Sequence, residues 1–329
     1  MEQPQYKKIT QVRFDYANAM TGKATNNAKF LIDWQYVLKP NTPYFITFSF
    51  IYTSGFSLYT GDMVPLLWVD FNTNVYKATA SGGAKTDNIL GVILPFLERP
   101  QGQLVVFYAD HNSNHPSYMD KRPNNNMVNI KILKPDGDLW DDNDAVDPRP
   151  PREWSITFQF TEAEHMYKRY VGAISRGVSA VKPIKKLLLT QNEGTGTSSR
   201  RTYNVDMDAI LDRNKQYKVG FVFSGGKPTS GSYPTLFLNI TWNLDTAYPF
   251  NNLTYASQYG ILGRIGTQRY DTGTNSYFIQ SQANINEPVS LINWGNNIVV
   301  SFLDSNLALF TTMPASPNLW VLMLAFEEL

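Results

Sequence analysis

Two stretches decide the reading of this chain: FLIDWQYVLKPNTPYFITFSF, residues 30–50, and YNVDMDAILDRNKQYKVGFVF, residues 203–223. Laid on one another without a gap, they place Phe30 on Tyr203, Ile32 on Val205, Asp33 on Asp206, Leu38 on Leu211, Asn41 on Asn214, Tyr44 on Tyr217, Phe48 on Phe221 and Phe50 on Phe223. Ordinary strand alternation supplies some of this likeness, so the test is whether the match continues in order along the chain. It does. Pro65–Asp70 falls on Pro234–Asn239, and Ile89-Leu90-Gly91 falls on Ile261-Leu262-Gly263. Asn125–Val128, leading into Leu133, is laid on Asn296–Val299, leading into Leu303, and Trp154, Phe158 and Phe160 fall on Trp320, Leu324 and Phe326. The chain is read as an internal duplication.

Within each half the apolar residues recur with a period of two, as in Tyr44, Ile46, Phe48 and Phe50 against Phe45, Thr47 and Ser49, which is the signature of half-buried strands. In the first half such runs lie near 6–14, 30–37, 44–53, 64–71, 89–96, 104–109, 127–133 and 154–160, separated by Gly, Pro, Asn and Asp clusters that mark turns. Eight antiparallel strands per half with unequal loops predict a jelly roll; a propeller needs more repeats, and an immunoglobulin-like sandwich has fewer strands. One segment departs from the β pattern. Thr161 and Glu164 are spaced as a capping box, and Tyr167, Val171, Ile174, Val178 and Val181 follow at helical spacing up to Pro183. The expected organisation is all-β: a first eight-stranded antiparallel jelly-roll barrel over 1–162, a short linker helix over 163–184, and a second such barrel over 185–329.

Composition narrows the function. Aromatics are 14% and charged residues only 17% of 329 residues, the profile of a packed β protein and not of a disordered one. With no cysteine, neither disulfides, thiolate metal sites nor a cysteine nucleophile are available. The first residues, MEQPQYKKIT, carry no apolar signal-peptide core and no Arg-rich arm, so synthesis in a host cytoplasm and no direct nucleic-acid binding are expected. The sequons at Asn239 and Asn252 are then idle.

No motif points to catalysis. Asp110, His111 and His115 are close in sequence, but two histidines and one carboxylate in a polar turn read as loop residues, and the HxH pattern of metal-dependent cupins is absent. The acidic run at 136–147 lacks EF-hand spacing, and SGGAKT at 81–86 lacks a Gly directly before Lys85 and a following helix. There is no G-x-S-x-G. Neither a catalytic residue nor a cofactor or metal site is assigned.

The arrangement of two eight-stranded barrels, a linker helix and aromatic strands such as YFITFSF and YKVGFVF resembles the double jelly-roll major capsid proteins of viruses with an internal lipid membrane, most of all the small bacteriophage members. That resemblance covers the whole chain and rests on architecture, without a diagnostic short motif. It implies a non-enzymatic virion protein whose homotrimers form pseudo-hexagonal capsomers of an icosahedral shell. The partners it implies are neighbouring capsomers, other capsid or vertex proteins and an internal membrane. Minor capsid or vertex proteins of the same class are the near alternative; a two-jelly-roll glycan-directed hydrolase is the distant one. Jelly-roll connectivity also places both termini and the linker at one end. Lys7, Lys8, Lys168, Arg169, Arg176, Lys182, Lys185 and Lys186 are thereby expected to form a basic, membrane-facing base, opposite the acidic loop.

Overall fold

The structure, a computed structural model, describes residues 9–20, 26–54, 64–98, 105–140, 154–164, 183–225, 235–245, 260–269, 277–282, 286–311, 313 and 320–329. The first half contains β1 (Ile9–Asp15), β2 (Asn27–Leu31), a single helical turn α1 (Trp34–Val37), β3 (Tyr44–Ser54), β4 (Leu66–Val69), β5 (Val75–Ala78), β6 (Ala84–Asp87), β7 (Ile89–Val92), β8 (Leu94–Glu98), β9 (Val105–Ala109), β10 (Ser117–Met119), β11 (Met127–Leu133) and β12 (Trp154–Glu162). The second contains β13 (Ile184–Thr190), β14 (Thr195–Thr197), β15 (Arg200–Asn204), β16 (Tyr217–Gly225), β17 (Leu236–Ile240), β18 (Asn243–Leu244), β19 (Ile261–Arg269), β20 (Tyr277–Ser281), β21 (Val289–Asn293), β22 (Asn297–Leu303) and β23 (Trp320–Glu328).

Strand order identifies two jelly rolls. In the first half β1-β12-β3-β9 form one sheet and β2-β11-β4-β7 the other. Numbered as eight principal strands, these are the orders 1-8-3-6 and 2-7-4-5 that two interleaved Greek keys produce. The second half repeats both, as β13-β23-β16-β20 and β15-β22-β17-β19. There the long β19 joins the two sheets, pairing with β17 through its first part and with β20 from Gly266 onward.

Alternation builds the interiors. Along β12, Trp154, Ile156, Phe158 and Phe160 are buried while Ser155, Thr157 and Gln159 are partly open. The inward aromatics meet tilted or edge-on, the arrangement ring quadrupoles favour: Phe14 lies 5.0 Å from Phe30, and Trp34 lies 5.5 Å from Phe160. The second core repeats the pattern around Trp320, whose ring is 6.5 Å from Tyr203 and 6.0 Å from Phe223. Trp154 stands in the same way 6.0 Å from Phe30 and 6.5 Å from Phe50.

The duplication reaches fine detail. β4 and β7 slip register at Leu67/Trp68, and β17 and β19 slip at Leu238/Asn239. At each slip an asparagine clamps the strand from outside: Asn114 accepts from Val92 N and donates to Val92 O, both at 2.9 Å, and Asn286 does the same to Arg264. Each amide lies against a glycine. A Cβ on Gly91 would stand 2.5 Å from Asn114 Oδ1, and one on Gly263 would stand 2.6 Å from Asn286 Oδ1. Tyr44 and Tyr217 each accept from the backbone five residues upstream, at Lys39 and Asp212.

Several expectations are corrected. The strand expected over 30–37 ends at Leu31, because Asp33 accepts from Gln35 N and caps α1. Thr161 is no helix cap: it pairs with Ile9 and Phe45 inside the sheet, and helical backbone begins only at Ala163 and Glu164. The linker helix beyond them, residues 165–182, lies outside the described residues. Two blocks of the internal alignment also shift. Val128 pairs with Phe30 as Ile298 pairs with Tyr203, so Val128 corresponds to Ile298 and not to Val299. Likewise Leu66 pairs with Leu133 as Phe237 pairs with Leu303, which moves that block by two residues.

Candidate functional site

Outward-facing strand residues in the two halves differ sharply, and that difference makes the principal site of the molecule. In the first barrel β12 reads WSITFQF, alternating; in the second, β23 reads WVLMLAF, apolar on both faces. A strand apolar on both faces is covered on both. The cover is the first barrel: Leu188, Val222, Val321 and Met323 form one cluster with Val64, Leu66, Ile89, Val92, Leu94 and Leu133, the outward residues of the β2-β11-β4-β7 side. Full burial of each such side chain contributes on the order of 1.5–3 kcal/mol. The barrels are therefore sealed side by side, front of one to back of the next.

Backbone hydrogen bonding reinforces the seal. After β4 the chain makes an extra hairpin, β5–β6, and β5 lies parallel to β13, with Lys186 opposite Val75 and Leu188 opposite Lys77. The edge strand of the second barrel is so completed by the first. At the hairpin tip Ala80 N donates to Glu193 Oε2 at 2.6 Å and Gly83 N donates to Asn204 O, also at 2.6 Å. Lys77, only 4% exposed, donates to Pro135 O at 3.1 Å and stands 3.9 Å from Glu193.

Two further ionisable groups among the described residues lie inside this junction. Lys186 has no exposed surface; its Nζ donates to Ser117 Oγ at 2.8 Å and Leu90 O at 3.0 Å, with no carboxylate partner among the described residues, and burial lowers its pKa to about 7. His115 packs on Gly220, where a Cβ would stand 2.4 Å from its Cε1. Burial first, then the positive charge of Lys186, lowers this imidazole to about 4. Burial disfavours the charged form of both groups: Lys186 carries its proton only below about pH 7, and the imidazole of His115 only below about 4.

Of the expected basic base only Lys185 and Lys186 are among the described residues. Lys186 leaves the set: β13 turns it into the barrel junction, away from any membrane surface. Lys185 is partly buried and its Nζ donates to Ile210 O. Lys7, Lys8, Lys168, Arg169, Arg176 and Lys182 lie outside the described residues. What is described of that end is charge-mixed, with Lys39 on Glu162 at 2.6 Å, and Arg213 on Asp208 and Lys215 on Glu328 each at 2.8 Å. The polar turn at 110–115 does not converge: Asp110 accepts from Asn112 N and Ser113 Oγ, His111 Nδ1 lies 3.2 Å from Thr47 Oγ1, and His115 faces the other barrel. SGGAKT forms the tip and second strand of the β5–β6 hairpin. Of the acidic run only 136–140 is described, and Asn252 lies outside the described residues. Sequence reasoning missed the junction itself; the signal was the contrast between WSITFQF and WVLMLAF.

No family model matches the chain, and no curated protein matches it. Among solved structures, the mavirus penton protein aligns over 98% of this chain and 100% of its own at 10% identity, with a TM-score of 0.24. The mavirus major capsid protein aligns over 97% and 86% at 9% identity, with a TM-score of 0.18. The Cry4Aa toxin of Bacillus thuringiensis aligns over 94% of this chain and 58% of its own, also at 9% identity and a TM-score of 0.18. Likenesses of this size carry no argument; the fold stands on its strand order.

Proposed function

We propose that this chain is a structural capsid protein, a two-barrel building block of a virus shell, and not an enzyme. The observation that carries the reading is the sealed junction: two duplicated jelly rolls are fixed side by side by an apolar cluster and a shared sheet edge, which makes the chain a joined pair of tiles of the same fold. Front-to-back contacts between like units are heterologous, and they close into rings when the rotation permits. Three such pairs give a six-barrel, pseudo-hexagonal ring with one interface type used inside and between chains. In this reading the partners are other copies of the chain and other shell proteins, the location is the virion, and the units are 1–162 and 185–329 about the 163–184 linker. Contact of the base with an internal membrane is kept for Lys7, Lys8, Lys168, Arg169, Arg176 and Lys182 alone.

Light scattering on the purified chain, with electron microscopy of the same sample, tests this. The expected result is a mass of three chains and ring-shaped particles with six lobes. A protein that stays monomeric at high concentration overturns the reading, and so does glycan or ester turnover abolished by one Asp or Glu substitution.

A further inference from the structure

The same sheet face occurs twice in this chain, covered once and open once. Gln11 pairs with Gln159 as Lys186 pairs with Ala325, and Ser49 pairs with Thr157 as Val222 pairs with Met323. In the second barrel these outward positions are buried under the first barrel. In the first barrel nothing among the described residues covers them: Gln11 and Arg13 are exposed, and Ser49, Thr157 and Gln159 are partly so.

This open face is not built like a face meant only for water. Of its outward positions on β1, β3 and β12, only Arg13 and Asp15 are charged, and those two pair with each other at 2.8 Å. The rest are Ser, Thr and Gln apart from three apolar residues: Ile9, Phe45, which is buried against Tyr118 and Ala163, and Ile51 on β3, which is 49% exposed. Scarcity of Lys and Glu around a central apolar residue is the composition of an interface core, whereas a solvated sheet face favours charges.

The covering elements are duplicated too. Ser117 pairs with Ile46 as Val289 pairs with Val219, so the corner that carries His115 against Gly220 has its counterpart at Glu287. Val92, in the apolar seal, has its counterpart at Arg264, exposed and lying over the Phe237 ring at 5.7 Å. We propose that the outer face of β1, β12 and β3 docks a second copy of this chain through the Arg264 and Glu287 corner of that copy's second barrel, repeating between chains the contact that joins the barrels within one. The inference rests on the ring reading and assigns its residues. The polarity difference has a physical reason: the internal contact forms once during folding and is never exposed, whereas the external one must stay soluble until copies meet.

Because the chain has no cysteine, single thiols report without background. Thr47 corresponds to Gly220, which His115 touches, so chains carrying Thr47→Cys are mixed in equal amounts with chains carrying Glu287→Cys and treated with a short bismaleimide. A covalent dimer that appears only in the mixture is expected, together with at least tenfold weaker association and unchanged melting for the Ser49→Glu/Thr157→Glu variant. If light scattering gives three chains but the mixture does not cross-link and the double variant associates normally, the face is wrong and the ring reading survives. A wild-type chain that is monomeric overturns both.

Discussion

Lys186 shows how one residue's chemistry is set by what lies over it. Adjacent to Lys185 in a strand, it necessarily points to the opposite side, and on that side stands the first barrel and not water. Its pKa falls from 10.5 to about 7 through burial. Between these values the unfolded chain holds the proton and the folded chain does not, so stability rises with pH from about 7 to 10.5 and the penalty is complete below 7. His115, lowered from 6.5 to about 4, removes further stability as pH falls across that interval. Replacing Lys186→Met is expected to stabilise the protein by about 2 kcal/mol at pH 6 and by clearly less at pH 9.5, since it removes a buried charge only where one exists. Urea unfolding at both pH values measures this; an equal gain at both would mean that Lys186 stays neutral throughout.

Among the elements, the slipped register between β4 and β7, and its copy between β17 and β19, carry the same construction twice. The asparagine clamp holds the backbone N–H and C=O of the residue that follows the glycine, and the glycine gives the amide room. Gly91→Ala and Gly263→Ala would each drive a Cβ into an amide oxygen and, at 2.8 and 2.9 Å, into the rings of Phe48 and Phe221. Each is expected to cost about 1–3 kcal/mol, and thermal melting should show the two losses matching within a factor of two. A loss at one site only would show that the two clamps are unequal despite their shared geometry.

For the whole molecule, the junction makes the barrels thermodynamic partners. Ten buried residues drawn from both halves form one cluster, and β5 is hydrogen-bonded to β13 across it. Calorimetry should give a single unfolding transition. Leu188 is fully buried in the centre of that cluster, so Leu188→Asp places an unpaired charge there and is expected to cost several kcal/mol. It should split the transition into two, one for each barrel, because each half keeps its own core. A single transition merely shifted to lower temperature would show that neither barrel stands without the other.

Sequence by itself determined the duplication, the eight-strand count and the inward aromatic sets, because a period of two and an ordered internal match are properties of the chain that survive in any register. It also held the sign of a covered outer face, since a strand such as WVLMLAF has no polar side to give to water. Register was not legible: neighbouring Asn and β-branched residues fit a strand block shifted by one or two positions, and only the pairing of Val128 with Phe30 and of Leu66 with Leu133 fixed it. Nor was the fate of Lys186, whose place in a Lys-Lys pair reads as solvent-facing charge. What covers a residue comes from parts of the chain far from it, here Ser117, Leu90 and the β5–β6 hairpin, and that distance in sequence is why the tertiary structure alone decided it.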